Sequence, residues 1–279
     1  MTTLRVGIST CPNDIFSFYG LIEKRVDLRG LNIEFVYEDV QTLNEALPGG
    51  TLDFVKASFH AALYYTSTYG VLRAGSALGV GVGPLLVAAR PDVRPGPESR
   101  IVCPGALTTA ALLFRGFFPE CPRIEHVVFS EIAPMLQNGD ADFGVLIHEG
   151  RFTYQRDGLH LVEDLGETWE RTTHGPLPLG GILARRALSD DVVDNFLAVL
   201  QDSIRYAFAH RAEVLPTLRR FAQELDETVI WSHVDLYVND YTLDLGDIGE
   251  QALRTLESVA RRGGILGPDA APVTIMGVG

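Results

Sequence analysis

One of the seven histidines in this 279-residue chain, His148, is driven to a strand end by its neighbours. Phe143 to Ile147 is a short apolar run after the Asn138-Gly139 break, and reads as a strand covered on both faces. His148 stands at its carboxyl end. In open α/β sheets, ligands bind in the crevice beyond those ends. Imidazole titrates near neutrality without help, so His148 suits proton transfer to or from a bound molecule. The competing role is to end the strand and bond a neighbouring backbone group.

Other polar residues occupy comparable positions. Ser9-Thr-Cys-Pro-Asn-Asp14 is a polar turn between the apolar run Leu4 to Ile8 and a helical pattern from Ile15 to Ile22. Ser9 and Asn13 are read as lining a crevice; Asn13 or Asp14 would cap the helix, with Pro12 fixing the loop. Lys56 interrupts the apolar stretch Leu52 to Ser58, where an ammonium needs a partner or ligand unless its head reaches water. Thr108 and Thr109 follow the turn Pro104-Gly105-Ala106 and open a helix to Arg115. They either cap it or help its free N–H groups receive a carboxylate.

The three cysteines, Cys11, Cys103 and Cys121, form no C-x-x-C pair, and the histidines form no H-E-x-x-H pattern. Neither a disulfide framework nor a zinc site is expected. Cys11 has no His or Asp pattern marking it as a nucleophile, so a packing or loop role is expected. His233, on an amphipathic stretch from Thr228 to Tyr237, reads as a packed or exposed helix residue.

The elements that must hold these residues alternate in α/β fashion. Further strands are expected at Leu31–Tyr37, Val71–Ala74, Leu85–Ala89, Ile101–Cys103, Ile124–Phe129 and Leu159–Leu165. Helices are expected at Asp39–Leu47, Phe59–Tyr69 and Ser130–Gln137, with Ser130 as a cap, and a short one around Trp169. Glu149 to Tyr154 reads as a loop. Gly75 to Pro84 lacks a Gly-Lys-Ser/Thr ending and leads into a strand, so it is read as a close-packed glycine turn and not a phosphate loop. Pro91–Ser99 and Gly175–Gly181 look like crossings between lobes, dividing the chain into 1–92, 93–178 and 179–279. The last segment returns through Ile182–Ala184 and is then helical: Asp190–Ala209 capped by Ser189, Arg211–Glu224, Thr228–Tyr237 and Ile248–Arg262. A faint repeat supports two similar lobes. Leu43-x3-Leu47-x2-Gly50-x2-Asp53-Phe54 matches Ile132-x3-Leu136-x2-Gly139-x2-Asp142-Phe143.

Composition limits the partners. A net charge of −13 and a pI near 4.9 disfavour a surface built to neutralise phosphates, so nucleic acid is not expected. No apolar run is long enough to span a bilayer, and the N-terminus shows no signal-peptide pattern, so a soluble cytoplasmic protein is expected.

Ser9 to Asp14, Lys56-Ala-Ser58, Gly81-Val-Gly-Pro84, Thr108-Thr109, Ile147-His-Glu-Gly-Arg-Phe-Thr-Tyr154 and Pro176-Leu-Pro-Leu-Gly180 together carry a resemblance over nearly the whole length. The chain resembles the 1,4-dihydroxy-6-naphthoate synthase family of the futalosine route to menaquinone. This resemblance implies a two-lobed fold like the type II periplasmic binding proteins, with a central cleft. It also implies a lyase that splits cyclic dehypoxanthine futalosine into 1,4-dihydroxy-6-naphthoate and dihydroxyacetone without metal or organic cofactor. At matching positions, His148 would be the proton acceptor. Lys56, Ala57 and Ser58 on one lobe, with Thr108 and Thr109 on the other, would hold the carboxylate-bearing substrate. The rivals are a cytoplasmic relative that binds a small carboxylate without chemistry, and the related chorismate dehydratase.

Overall fold

The computed structural model describes residues 3–222, 226–267 and 269–277. Among the described residues, twelve strands form two sheets. In chain order they are β1 (Thr3–Ser9), β2 (Asn32–Glu38), β3 (Phe54–Ser58), β4 (Tyr69–Leu72), β5 (Ala77–Gly79) and β6 (Leu85–Ala88). After these come β7 (Ile101–Pro104), β8 (Ile124–Val127), β9 (Phe143–Leu146), β10 (His160–Asp164), β11 (Leu177–Arg185) and β12 (Ile275–Met276). The first sheet runs β12-β4-β11-β3-β1-β2 with β5 on β11; the second runs β10-β6-β9-β7-β8. Each has a parallel core of three strands, β2-β1-β3 and β8-β7-β9, next to antiparallel neighbours.

The helices are α1 (Pro12–Ile22), α2 (Val40–Ala46), α3 (Phe59–Ala62), α4 (Thr109–Phe117), α5 (Ile132–Asn138) and α6 (Gly150–Thr153). They continue with α7 (Leu165–Thr173), α8 (Asp190–Ala209), α9 (Arg211–Phe221), α10 (Glu227–Tyr237), α11 (Asp240–Leu243) and α12 (Gly246–Arg262). Helices α8, α9 and α10 pack on α1, and one buried cluster, including Phe16, Phe54, Phe196 and Ile230, lies between them and the first sheet. Phe54 and Phe196 stack at 3.7 Å between ring centroids.

The repeat is visible as matching local structure. Gly50 and Gly139 both adopt a left-handed conformation, φ 58° and 77°, where glycine avoids a Cβ clash. Both aspartates that follow clamp the central parallel strand of their sheet near its start, β1 in the first and β7 in the second. Asp53 Oδ2 accepts from Arg5 N at 2.9 Å, and Asp142 Oδ2 from Arg100 N at 2.8 Å. The aspartate N–H groups donate back to the same arginines' carbonyls, at 2.8 and 2.9 Å.

Several expectations need correction. The crossing to the second sheet lies before Leu85, because β6 pairs with β9 and β10. Pro91–Ser99 therefore connects two strands of one sheet, and the 92/93 division moves to the segment between β5 and β6. On the return, β11 already belongs to the first sheet from Leu177. The helix expected over Phe59–Tyr69 stops at Ala62, since Tyr64 to Thr68 is a run of aromatic, β-branched and serine residues with weak helix propensity. Turn bonds take over there, such as Tyr64 N to Ala61 O at 3.0 Å. Glu131, not Ser130, occupies the N-cap of α5. The Glu149–Tyr154 loop contains α6, and α9 ends at Phe221; positions 223 and 224 of the expected helix lie outside the described residues.

The Gly75–Pro84 stretch is not a turn throughout, since Ala77–Gly79 is β5 and Gly81 is open, but it is close-packed at Gly83. A Cβ on Gly83 would meet Gly166 Cα at 2.5 Å, and one on Gly166 would meet Gly83 N at 2.4 Å. The backbone at the crossing thus touches the start of α7 directly.

Candidate active site

The carboxyl ends of β1, β3, β7 and β9 point their loops at one cavity between the sheets, of about 670 Å³ counting its open mouth. Every residue singled out from the sequence lines it: Ser9, Asn13, Lys56, Ala57, Ser58, Thr108, Thr109 and His148.

His148 lies two residues beyond β9 with φ 53°, a left-handed conformation uncommon for a residue with a side chain. Such conformations persist where the surroundings hold them, and they gather at functional sites. Phe129 meets the imidazole edge-to-face at 4.8 Å, and Cys11 Sγ lies 3.3 Å from Nδ1. Burial lowers the His148 pKa below its ordinary 6.5, against the opposing pull of Glu149, Asp39 and Asp14, so the ring is a neutral base at pH 7. Burial, with Asp14 nearby, raises the Cys11 thiol far above its usual range. Cys11 is therefore a protonated neighbour of the imidazole and not a thiolate nucleophile.

Asp14 is the hub of the first-lobe wall. Its carboxylate accepts from Lys56 Nζ at 2.6 Å, from Ser9 Oγ at 2.5 Å and from Asn13 Nδ2 at 2.9 Å. The capping role expected of Asn13 or Asp14 is not the one they play. Cys11 occupies the N-cap with Pro12 first in the helix, and both Asn13 and Asp14 are buried within the first turn. Lys56 gains its partner inside the protein, so its head does not need to reach water. Ser58 is set by Asn44, which the sequence did not mark: Ser58 N donates to Asn44 Oδ1 at 2.9 Å and Asn44 Nδ2 donates to Ser58 Oγ at 3.1 Å. The Ser58 hydroxyl proton stays available to a ligand.

On the second lobe, the threonine hydroxyls are already engaged. Thr108 Oγ1 caps α4 by accepting from Ala111 N at 3.2 Å, and it donates to Gly105 O at 3.0 Å. Thr109 Oγ1 donates to Leu179 O at 2.7 Å. The N–H groups of Thr109 and Ala110, the first two helical positions, have no protein acceptor among the described residues. They are the donors a carboxylate would meet, helped by the positive end of the helix dipole. His60 joins the lobes by donating from Nδ1 to Thr108 O at 3.0 Å.

Two cavity residues escaped the sequence reading, His233 and Tyr237 on α10. The signal was present: Ile230, His233, Val234 and Tyr237 form one buried stripe at helical spacing, and its one imidazole needed a partner. Arg151 was also unassigned. It donates to Gly83 O at 2.6 Å and to Asp164 at 2.7 Å, tying the segment after His148 to the crossing. No cluster of three or more His, Cys, Asp or Glu suited to a metal ion occurs among the described residues, and none of their helices is long and apolar enough to cross a membrane.

Two such sheets joined by crossings around a cleft define a two-lobed fold of the periplasmic-binding-protein kind. An alkanesulfonate-binding protein from Xanthomonas axonopodis, solved with MOPS bound, shares it with a TM-score of 0.72 at 14% identity, covering 100% of this chain and 99% of that one. A crystal structure of a protein from Archaeoglobus fulgidus superposes with a TM-score of 0.90 at 32% identity, over 94% of this chain and 98% of that one. A family model described as menaquinone biosynthesis matches residues 4–262. The chain is 42% identical to a 1,4-dihydroxy-6-naphthoate synthase from Thermus thermophilus, across 99% of this chain and all of that one. It belongs to this menaquinone-biosynthesis family.

Proposed function

We propose that the chain is a 1,4-dihydroxy-6-naphthoate synthase, a lyase that releases dihydroxyacetone from cyclic dehypoxanthine futalosine with His148 as proton acceptor. The observation that carries this reading is the placing of His148, a half-buried neutral imidazole, on the wall of the cavity that also holds the unpaired N–H groups at the start of α4. Those N–H groups and the Ser58 hydroxyl would receive the substrate carboxylate and a neighbouring oxygen. The remainder of the molecule would then lie against His148. Neutral imidazole accepts a proton as the carbon–carbon bond breaks, and closure of the lobes keeps water from competing for it. The Lys56–Asp14 pair sets the charge of this wall, and Cys11 and Phe129 hold the ring in place.

The test is turnover of cyclic dehypoxanthine futalosine by purified protein, with chorismate offered in parallel. Formation of the naphthoate is expected, along with a loss of roughly 10²–10⁴ in kcat for His148→Ala, the usual contribution of a positioned general base. Water loss from chorismate instead would assign the related dehydratase activity, and binding without conversion of either would leave a binding protein. A His148→Ala protein with near-wild-type turnover would remove His148 from the chemistry.

A further inference from the structure

His233 has no part in the chemistry described so far, yet it faces the base. Its ring lies parallel to that of His148, 12° between planes and 6.1 Å between centroids. Its Nε2 is 3.0 Å from Asn13 Oδ1. The orientation of that amide follows from its other end, because Asn13 Nδ2 donates to the Asp14 carboxylate, which only accepts. The amide oxygen must therefore face His233, and His233 must carry its proton on Nε2. Its Nδ1 is left with a lone pair.

That Nδ1 is buried and has no hydrogen-bond partner among the described residues, while the residue as a whole is 1% exposed. Burial, the nearby His148 and Lys56 hold its pKa well below 6.5, so protonation does not consume the lone pair. A buried acceptor with no partner costs free energy. His233 is also part of the cavity wall, where a ligand can supply what the protein withholds.

We propose that His233 is a substrate-positioning residue, its Nδ1 accepting a hydrogen bond from a hydroxyl of the molecule in the cleft. The site would then recognise two ends of one ligand. A carboxylate meets the N–H groups of α4 on the second lobe, and a hydroxyl meets α10 on the first. The ligand class is a hydroxylated cyclic carboxylate, and the proposal rests on the function proposed above.

His233→Gln separates this role from simple packing. The glutamine amide can still donate to Asn13 from the place of Nε2, but the acceptor at Nδ1 is gone. The expected result is an unchanged melting temperature, a roughly tenfold rise in KM for cyclic dehypoxanthine futalosine, and kcat within about threefold of wild type, one lost hydrogen bond to a bound substrate. A second readout uses ¹⁵N-labelled imidazole in His148→Ala protein, where substrate persists. The His233 Nδ1 resonance is expected to move toward a hydrogen-bonded position on saturation with substrate, as followed independently by calorimetry. If His233→Gln does not fold, this spectrum alone decides. An unchanged KM in folded His233→Gln, or an unmoved Nδ1 resonance at saturation, overturns the proposal while the function stands. Wild-type protein that neither binds nor converts this substrate overturns both.

Discussion

Lys56 and Asp14 are an ion pair with side chains only 7% and 5% exposed, yet the two partners do not depend on each other equally. Lys56→Met leaves the Asp14 carboxylate with the Ser9 hydroxyl at 2.5 Å and the Asn13 amide at 2.9 Å. Asp14→Asn leaves a buried ammonium whose only hydrogen-bond partner among the described residues has lost its charge. Breaking a buried pair by removing one charge typically costs about 3–5 kcal/mol, which is the cost expected for Asp14→Asn. Lys56→Met should cost about 1–2 kcal/mol, because two donors still solvate the anion. In the double variant no unpaired charge remains, so it should be more stable than Asp14→Asn alone by about 2 kcal/mol. The measurement is guanidinium unfolding of the three variants, read from midpoints at constant m-value. At roughly 2–4 °C per kcal/mol for a domain of this general size, Asp14→Asn would melt about 10 °C low. Equal costs for the two single variants, or a double variant costing their sum, would refute the asymmetry.

Two further predictions follow from the imidazoles of His148 and His60. The acid limb of kcat/KM should fall below pH 6.5, because burial lowers the His148 pKa and the base works only when neutral; a limb above pH 7 would contradict this. His60 is pushed down to about 4 by burial, so an unfolded chain takes up its proton first as the pH drops. The stability that neutral His60 contributes is full above pH 6.5 and is lost as pH falls toward 4. Asparagine can keep the donor to the Thr108 carbonyl without titrating. The stability of wild type relative to His60→Asn should therefore drop by about 2 kcal/mol between pH 7 and pH 5, and a pH-independent difference would disprove the assignment.

Much of the site was legible because strand-end positions follow from local pattern. Ser58, Thr108 and His148 sit where an apolar run stops or a helix begins, and Lys56 stands out as a charge inside such a run; those signals span only a few residues. The glycine and aspartate repeat, too, corresponds to a real clamp in each lobe. What lay beyond reach depended on contacts distant in sequence. His233 meets Asn13 across 220 positions, and nothing near Asn13 announces that α10 will cover it. The first crossing was misplaced for a similar reason. Leu85–Ala88 reads as a strand, but its partners β9 and β10 begin more than 50 residues later, and proline-rich Pro91–Ser99 offered a more conspicuous break. Tyr64 to Thr68 shows the opposite error, in which a helix that starts at Phe59 was carried on through a segment that turns.

The contact between Gly83 and Gly166 has a mechanical consequence. Leu165 N donates to Pro84 O at 3.0 Å and Arg151 holds Gly83 O, so from Gly83 onward the strap is fastened to the second half of the molecule. Gly81 N also donates to Glu170 of α7, and a Cβ on Gly166 would meet Val82 O, so on this strap the flexure is left to Val80, between the pairing of Gly79 with Leu177 and the anchor at Gly81. Arg151 is only three residues past His148. The same guanidinium that anchors the articulation also steadies the loop carrying the base, so any swing of the jaws carries that imidazole as part of the moving piece.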